Sequence, residues 1–413
     1  MREVDMDTCS FFPRTPNPSP VTSVHSNRQY DEGSKRLADW TTLGVGGEAE
    51  SFVVARSEDE IVEAVRAADE AGKPVLMLGG GSNLLVADEP FAGVVVRDGR
   101  SGYTLVHDTG CGGAVVRVDA GMAWDEFVAT AVENDWSGLE ALSGIPGTVG
   151  ASPVQNVGAY GKEVADTISA IRVYDRLEKR RKTLMLTDLE FGYRTSVLKR
   201  STYDSSLSQG RLWGPTGRWI VLWVEFQFTH ASLSLPIGYG QLAQALGVQV
   251  GDRADQRDVR EAVLELRRSK SMVLDDANRN TWSTGSFFTN PIISKDAAKR
   301  LPQDAPVFPV RKVAAAGSVP DVDSVEEGVV KVSAAWLINH SGFERGFKLD
   351  PASGAALSSD HVLAISNTGS ASLQDVARLA EAVRDGVWKK WQIELVPEPV
   401  RVGWDLPPLA ANA

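Results

Sequence analysis

The stretch GSFFTNP, residues 285–291, places a serine between a glycine and two phenylalanines. No histidine stands beside Ser286 to activate its hydroxyl as a nucleophile. One interpretation is structural: the hydroxyl caps a strand end or bonds a loop backbone. The other is chemical: a serine in a dry, aromatic setting donates a proton, a role that requires position rather than an activating base.

Two glycine-rich stretches indicate a surface for phosphate or cofactor. GGGSN, residues 79–83, joins one predicted strand to another. It does not open a helix and contains no G-K-[ST], so it is not a P-loop. The glycines of TTLGVGGEAE, residues 41–50, lack the spacing of a dinucleotide fingerprint. The stretch 142–161 is apolar, which favours backbone packed against a flat cofactor over a set of buried tight turns.

The elements that must position these residues are strands and helices in irregular order. Ser57 with Glu60 predicts a capped helix, and Asp255 and Ser372 predict the starts of two others. A further helix is expected from Trp124. Strands outnumber long helices, so an α+β fold is expected rather than a doubly wound sheet. The predicted strands include 51–55, 74–78, 117–121, 170–176 and 219–228.

Composition narrows the classes of function. The 413 residues suggest two or three domains, and the net charge of −11 disfavours a nucleic-acid binder. Two cysteines fit a reducing cytoplasm without a disulfide framework, and no metal-binding motif is present. No apolar run predicts a membrane span. Residues 1–36 are rich in Pro, Ser and Asn, which predicts a disordered tail.

Five motifs follow one another along the chain: GGGSNLL, SGIPGTVGASPVQNVGAYG, FGYRTSVLK, GSFFTNP and the terminal PEPV. In this order they resemble the flavin-dependent UDP-N-acetylenolpyruvoylglucosamine reductases of bacterial peptidoglycan synthesis, the MurB family. The likeness covers residues 38–404. GGGSN alone occurs in many flavoproteins, whereas the ordered set of five is highly specific.

The resemblance implies a two-subdomain FAD-binding fold of the vanillyl-alcohol-oxidase type, followed by an α+β substrate-binding domain. NADPH would reduce FAD, and UDP-N-acetylglucosamine enolpyruvate would become UDP-N-acetylmuramate. We expect a monomer with no nucleic-acid partner. The expected ranges are FAD-binding subdomains at 37–102 and 103–271, a substrate-binding domain at 272–400 and a C-terminal segment at 401–413.

Three residues match the family's reacting groups. Ser286 would protonate the carbanion that forms after hydride addition. Arg194 offers a planar, permanently charged fork that suits a carboxylate, and Glu398 would lie near the same group. Glu394 is an alternative terminal carboxylate, although spacing favours Glu398. A solvated loop arginine and a surface acid remain the structural alternatives.

The resemblance and the glycine patterns also suggest binding residues. For FAD, the backbone of GGGSN would cradle the pyrophosphate, and the cofactor-binding candidates are Thr42, Gly46, Gly79, Gly80, Gly81, Ser82, Asn83, Ser143, Gly144, Ile145, Pro146, Gly147, Gly150, Ala151 and Gly158. For substrate, a lysine at a cation-rich helix end would meet the diphosphate, and the candidates are Tyr160, Tyr193, Tyr239, Lys270, Asn290 and Lys331.

The sequence departs from the family in the segment 199–219, which is long and polar and predicts a surface loop. Two other functions are open at this stage. An FAD-dependent alcohol oxidase of the same fold would explain GGGSN but not GSFFTNP. A non-catalytic nucleotide-sugar binding module would explain cations and glycines, but not a serine, an arginine and a terminal carboxylate together.

Overall fold

The computed structural model describes residues 21–23, 33–110, 112–312 and 324–409. Within these ranges the chain forms an α+β fold. The α-helices are α1 (Glu58–Glu70), α2 (Trp124–Glu133), α3 (Val197–Arg200), α4 (Gly240–Leu246), α5 (Gln256–Arg268), α6 (Lys295–Ala298), α7 (Ala334–Asn339) and α8 (Leu373–Trp391).

The strands of the first half are β1 (Ala49–Ala55), β2 (Val75–Leu78), β3 (Leu84–Val86), β4 (Phe91–Asp98), β5 (Tyr103–Thr109), β6 (Gly113–Asp119), β7 (Trp136–Ser137), β8 (Gly158–Ala159), β9 (Lys162–Glu163), β10 (Ile168–Asp175), β11 (Arg180–Met185) and β12 (Trp219–His230). Those of the second half are β13 (Ser283–Ser286), β14 (Ile292–Ser294), β15 (Val307–Phe308), β16 (Val329–Val332), β17 (Ala355–Leu357), β18 (Ala364–Asn367) and β19 (Val400–Val402).

A small parallel sheet begins the fold, in the order β1-β4-β2. Helix α1 covers it with a buried face that includes Ile61 and Val65. As predicted, the Ser57 hydroxyl accepts from the Glu60 amide at the start of this helix. Strand β2 then runs directly into the glycine loop, which we define as residues 79–83.

The second sheet is antiparallel, in the order β11-β10-β12-β6-β5, with β7 paired to β12. Helix α2 packs on one face of it, because Trp124 and Phe127 are buried against Phe226. The Trp124 indole also donates to the Leu142 carbonyl at 3.0 Å. The helix therefore holds the start of the apolar glycine-rich stretch 142–161.

The third part contains two short sheets, ordered β13-β18-β17 and β14-β16-β15. Its core contains Phe287, Leu337 and Val383, all buried, with Val383 on α8. Helix α8 begins at the predicted cap, where Ser372 and Asp375 exchange side-chain and backbone hydrogen bonds.

The last strand described, β19, pairs with a strand of the first half of the chain. Strand β19 pairs with β3 in parallel, with Val400 opposite Leu84, although more than 300 residues separate the two strands in the sequence. The Val400 amide donates to the Asn83 carbonyl at 2.9 Å. The C-terminal segment thus lies against the end of the glycine loop, a pairing that local sequence patterns did not indicate.

Two sequence expectations need correction. The segment 199–219 is not simply a surface loop, because Trp213 within it is only 2% exposed. Most of the predicted tail lies outside the described residues. Its described parts make contacts: the Val21 amide donates to Glu133 at 2.7 Å, and Arg36 forms a bridge with Glu48.

Within the described ranges, no helix has the length and apolar character needed to cross a membrane. In the same ranges, no group of three or more His, Cys, Asp or Glu side chains is arranged to hold a metal ion.

A buried ion pair ties helix α2 to helix α5. The Arg260 guanidinium donates to both carboxylate oxygens of Asp125, at 2.8 and 2.7 Å. The same carboxylate accepts from the Gly144 amide at 2.6 Å. Arg260 is fully buried and Asp125 nearly so. The pair therefore fixes both helices to the glycine-rich stretch from inside the protein.

We expect Arg260→Ala to lower the free energy of unfolding by about 3–5 kcal/mol, because it leaves the Asp125 carboxylate buried without its partner. Urea denaturation of wild type and variant measures the loss. The matched control is Arg180→Ala, since Arg180 pairs with Glu178 on the surface with 66% of its side chain exposed. That change should cost less than about 1 kcal/mol. Equal small losses in both variants would contradict a structural role for the buried pair.

Candidate active site

A cavity of about 1300 Å³ lies between the two glycine-rich stretches and the C-terminal part of the chain. Side chains from all three candidate reacting positions, Arg194, Ser286 and Glu398, line it. These residues come from distant parts of the sequence.

Close backbone packing shapes one wall of the cavity. A Cβ atom on Gly80 would lie 2.7 Å from the Gly147 Cα, and one on Gly81 would lie 1.9 Å from the Trp40 carbonyl oxygen. Gly81 also has a φ of +64°, in the left-handed region that favours glycine. Only glycine at these two positions lets the glycine loop approach Gly147 and Trp40 this closely.

The glycine loop leaves hydrogen-bond donors on the cavity wall. Among the described residues, the backbone N–H groups of Gly80, Gly81 and Ser82 donate to no other backbone or side-chain group. The Ser82 hydroxyl donates instead to the Pro146 carbonyl, at 2.9 Å. Successive free amides in a turn form a site for an anion. The loop thus fits the pyrophosphate of FAD, and the length of the cavity leaves room for groups on both sides of it.

Ser286 ends strand β13 and is half-buried. The Phe287 amide next to it donates to the Leu363 carbonyl at 2.7 Å, and Phe287 and Phe288 are almost fully buried, with ring centroids 5.1 Å apart. Within the described part of the chain, the Ser286 hydroxyl makes no hydrogen bond to protein. The two rings fix the backbone, and the hydroxyl is left to face the cavity.

Glu398 lies next to this serine loop through the backbone. Its amide donates to the Phe287 carbonyl at 2.8 Å. Its carboxylate accepts from the Gln155 side chain at 3.1 Å, and Gln155 accepts from the Asn83 side chain at 3.0 Å. The Asn83 donor orients the Gln155 amide, so that its NH₂ group points to Glu398. A chain of polar contacts therefore connects the glycine loop with the terminal carboxylate.

Arg194 faces Glu398, with its Nε 3.3 Å from a carboxylate oxygen. Its terminal nitrogens donate to two backbone carbonyls, that of Gly158 at 2.6 Å and that of Asn156 at 3.4 Å. The guanidinium also lies over the Tyr193 ring, 5.3 Å from its centroid. The guanidinium carries five N–H donors in a fixed plane, so one arginine can serve a carboxylate and two carbonyls at once.

Left-handed backbone is concentrated around this arginine. Arg194 has a φ of +53°, Asn156 of +49° and Tyr160 of +50°. Asparagine tolerates this region, whereas Arg and Tyr adopt it infrequently, at a cost of about 1–3 kcal/mol each. Surrounding contacts must impose it, and the buried Asn156 supplies several: its side chain donates to Glu163 and to the Gly192 carbonyl.

Tyr193, Asn290 and Lys331 form a group beside Arg194. The Tyr193 hydroxyl accepts from the Asn290 amide at 3.2 Å, and the Lys331 Nζ lies 4.1 Å from the centre of the tyrosine ring. Burial raises the pKa of Tyr193 and lowers that of Lys331. The tyrosine therefore stays neutral at physiological pH and presents a polar hydroxyl near the reacting groups.

Cations form another wall of the cavity, at the end of α5. Lys270 donates to Gln241 at 2.8 Å, and burial together with Arg267 and Arg345 lowers its pKa. Arg267 is only 8% exposed, and burial lowers its pKa as well. Burial lowers the pKa of His361 to about 4, with the same cations acting in the same direction, so this side chain is neutral at pH 7. Such a wall suits an anionic ligand.

Two tyrosines lie near this cationic wall. Tyr160 and Tyr239 meet edge to face, with centroids 5.6 Å apart. Burial raises the pKa of Tyr160, and Arg267 opposes that rise. Both rings line the cavity, so they are placed to contact a ligand whose charge lies on Lys270.

Most of the predicted site residues line this one cavity. Those that do are Arg194, Ser286, Glu398, Gly79, Gly80, Gly81, Ser82, Asn83, Ile145, Pro146, Gly147, Gly150, Ala151, Gly158, Tyr160, Tyr193, Tyr239, Lys270 and Asn290. Glu394 reaches it too, but from an exposed position.

Five of the predicted residues are not among those that line the cavity: Thr42, Gly46, Ser143, Gly144 and Lys331. Thr42 and Ser143 are buried, and their hydroxyls donate to the carbonyls of Ser283 and Glu140. The Gly144 amide donates to the Asp125 carboxylate. Lys331 contacts Tyr193, which does line the cavity.

Other lining residues were not predicted. Gln155 stands within the motif SPVQNVGAYG, and its position beside Asn156 was a usable signal. Arg267 belongs to the cation-rich end of α5, where only Lys270 was chosen. His361 and Lys199 carry no local pattern that marks them, although burial lowers the pKa of Lys199 and its Nζ donates to the Arg194 carbonyl at 3.1 Å.

Two family models match this chain. A family model described as an FAD binding domain matches residues 49–182. A second model, described as the C-terminal domain of UDP-N-acetylenolpyruvoylglucosamine reductase, matches residues 276–402. Together these matches confirm the predicted FAD-binding fold with an added C-terminal domain.

Relatives described as UDP-N-acetylenolpyruvoylglucosamine reductase match along almost the whole chain. The protein of Thermobifida fusca is 47% identical over 369 residues, which are 89% of this chain and 96% of the relative. That of Mycobacterium tuberculosis H37Rv is 43% identical over 371 residues, covering 89% of this chain and 94% of the relative. That of Salinispora arenicola is 42% identical over 386 residues, covering 93% and 98%.

A solved structure of UDP-N-acetylenolpyruvylglucosamine reductase from Thermus caldophilus has a similar fold. It covers 89% of this chain and 97% of its own, with a TM-score of 0.55 at 23% identity. The resemblance drawn from the five ordered motifs is confirmed by the identity to the relatives and their coverage. The chain belongs to the UDP-N-acetylenolpyruvoylglucosamine reductase family.

Proposed function

We propose that this protein is an NADPH-dependent flavoenzyme of peptidoglycan synthesis. It reduces the enolpyruvyl group of UDP-N-acetylglucosamine enolpyruvate and so produces UDP-N-acetylmuramate. One observation carries the proposal: Ser286, Arg194 and Glu398 converge on a single cavity whose other wall is the free-amide glycine loop. The relatives that share more than 40% of its residues have names that describe this reductase.

The glycine loop would hold the pyrophosphate of FAD through the amides of Gly80, Gly81 and Ser82. The apolar stretch from Ile145 to Gly158 would lie along the cofactor. FAD, when bound, supplies to the substrate a hydride that originates from NADPH. All other parts of the chemistry fall to side chains of this chain.

Ser286 would donate the proton. Addition of hydride to the outer carbon of the double bond leaves negative charge on the neighbouring carbon. That carbon is a strong base, so a weakly acidic hydroxyl suffices as its proton donor. The free hydroxyl on a backbone fixed by Phe287 is in keeping with this role. The adjacent buried rings would limit the access of water.

Arg194 and Glu398 would stabilise the charge that spreads into the substrate carboxylate. Arg194 keeps a permanent charge there, at a fixed position set by the Gly158 carbonyl. Glu398 accepts from Gln155 and pairs with Arg194 through one oxygen, Oε1. Its other oxygen, Oε2, makes neither of these contacts.

The cationic wall would bind the UDP diphosphate. Lys270 and Arg267 supply positive charge, and Tyr160 with Tyr239 would contact the nucleotide-sugar. Asn290 and Lys331 would act near the sugar end through the Tyr193 group. The neutral His361 is able to offer or accept a hydrogen bond there without adding charge.

Several wider features belong to the same proposal. One chain supplies every reacting residue, which supports a monomer. The use of NADPH and a UDP-linked substrate supports a cytoplasmic location. We propose FAD-binding subdomains at 37–102 and 103–271 and a substrate-binding domain at 272–400, in line with the separate sheets of these ranges.

Ser286→Ala should separate the two half-reactions. Reduction of the flavin by NADPH needs no proton from Ser286, so that phase should keep its rate. Reoxidation by the enolpyruvyl substrate should slow by ~10²-fold or more, the usual scale for a lost general acid. Stopped-flow absorbance of the flavin band measures each phase. Ser286→Cys should react faster than the alanine variant, because a thiol can donate a proton.

The control for this experiment is Ser294→Ala. Ser294 caps helix α6 by accepting from the Ala297 amide, so its loss should cost about 1 kcal/mol of stability and leave both phases unchanged. If Ser286→Ala slowed the two phases equally, the proton-donor role would be wrong.

Lys270→Met should weaken the binding of UDP, since it removes a cation from the proposed diphosphate site. We expect the Kd for UDP to rise about tenfold or more, which corresponds to about 1.4 kcal/mol. Isothermal titration with UDP measures it. Lys299→Met is the control, because Lys299 is 76% exposed and pairs with Asp296 on the surface. An unchanged Kd in the Lys270 variant would place the diphosphate elsewhere.

A further inference from the structure

The segment of residues 201–217, which we name the strap, follows α3 and precedes β12. Its composition predicted a surface loop. In the structure it lines the active-site cavity, which Leu76 and Asp98 also line. The lining residues of the strap are Thr202, Tyr203, Leu212, Gly214, Pro215, Thr216 and Gly217.

A buried tryptophan anchors the strap. The Trp213 ring lies between two guanidinium groups, with that of Arg176 4.2 Å and that of Arg211 3.6 Å from its centroid. Arg176 in turn donates to Asp69 of α1 at 3.0 Å, and to the Thr216 carbonyl at 2.9 Å. These contacts hold the middle of the strap on the first subdomain.

Hydrogen bonds attach the strap to the strand that precedes the glycine loop. The Met77 amide donates to the Thr216 hydroxyl at 2.7 Å, and the Thr216 amide donates to the Val75 carbonyl at 3.3 Å. Both partners belong to β2, the strand that leads directly into the glycine loop. The strap is therefore attached to the strand that enters the glycine loop, whereas Glu398 is linked through Gln155 to Asn83 at the other end of the loop.

Two apolar side chains of the strap stand uncovered at this end of the cavity. Tyr203 and Leu212 are each 61% exposed, whereas Trp213 beside them is buried. The Ser201 hydroxyl accepts from the Arg218 amide at 3.0 Å, which joins the two ends of the strap. Tyr203 and Leu212 are thus held on a closed, anchored segment instead of a free loop.

We propose that Tyr203 and Leu212 bind the adenosine half of FAD, with the strap forming the outer wall of that subsite. This inference rests on the proposed FAD site. The free amides of the glycine loop fix the pyrophosphate, and Ser286 with Arg194 fixes the end where the flavin must react. The two halves of FAD extend from the pyrophosphate in different directions. The strap is bonded to the strand before the glycine loop, and Glu398 is linked to Asn83 at the other end of the loop, so the strap is the wall we assign to the second half.

The chemistry of the strap suits a purine. An adenine ring has two flat apolar faces, and a tyrosine ring with an aliphatic side chain can cover them. A base stacked on an aromatic side chain typically contributes ~1–3 kcal/mol. The strap carries no cation among its cavity-lining residues, so it does not suit a second phosphate group.

The test compares FAD with FMN, which lacks the adenosine monophosphate half. Apoprotein of wild type and of Tyr203→Ala is titrated with each flavin, and quenching of flavin fluorescence gives the two Kd values. The Kd for FAD should rise by about 5- to 100-fold in the variant. The Kd for FMN should stay within about twofold. Leu212→Ala should act in the same direction, and Tyr203→Phe should restore FAD binding.

Controls use exposed apolar residues outside the cavity: Tyr103→Ala for the tyrosine and Leu349→Ala for the leucine, which are 46% and 50% exposed. Neither should alter the affinity for either flavin. An equal rise in Kd for FAD and FMN, or no rise for either, would overturn the proposal. A change in NADP⁺ affinity in place of FAD affinity would also overturn it, since the strap would then bind the other dinucleotide.

The titration also separates this inference from the proposed function. It uses no UDP-linked substrate, so a normal FAD-to-FMN ratio in active variants would reject the strap alone. A wild-type protein that bound neither flavin would instead reject the flavoenzyme on which the inference rests.

Discussion

The active site depends on the insertion of residues 398–400 between two loops that are far apart in the sequence. These are the glycine loop and the serine loop, residues 285–291. The Glu398 amide bonds the Phe287 carbonyl, and two residues later the Val400 amide bonds the Asn83 carbonyl. These two hydrogen bonds set the serine loop and the glycine loop on either side of one short stretch. These backbone bonds fix the position of Glu398. Its carboxylate pairs with Arg194 and accepts a hydrogen bond from Gln155. Thr42 adds a second connection between the same two walls, because its amide donates to the Gly81 carbonyl and its hydroxyl to the Ser283 carbonyl.

Charge inside the cavity contrasts with charge on the whole chain. The protein carries a net charge of −11, yet its active-site wall places Arg267 and Lys270 near a neutral His361. Burial lowers the pKa of Arg267 and Lys270, which shows that these charges are costly where they stand. An anionic ligand would relieve that cost. Binding and stability are therefore coupled, because a ligand that binds only the folded state stabilises it.

Local patterns predicted much of the fold, and most of the predicted site residues line the cavity. The helix starts at Ser57, Asp255 and Ser372 follow from side-chain capping, which acts over three residues and is visible in the sequence. The residues of the ordered motifs also converge, as Arg194, Ser286 and Glu398 show. Long-range contacts were not predictable in this way. Nothing near Gln155 indicates that it joins Asn83 to Glu398, since its partners are distant in the chain.

The cofactor roles of Thr42, Ser143 and Gly144 stay predictions, and the structure adds that each has a protein partner for a polar group. The prediction for the segment 199–219 failed for a physical reason. The strap was assigned to solvent from its polar composition. One tryptophan held between two arginines was enough to fix it on the body, and composition does not report such an anchor.

The parallel pairing of β3 with β19 has a consequence for synthesis on the ribosome. Strand β3 is synthesised more than 300 residues before its partner β19. Until β19 is made, the edge formed by Leu84–Val86 lacks this partner, and an unpaired apolar edge is a template for association with other chains. Such distant contacts also slow folding, because a long loop must close before they form. Co-translational folding of this chain can therefore build the subdomains in turn, but the catalytic cavity closes only after β19 has left the exit tunnel.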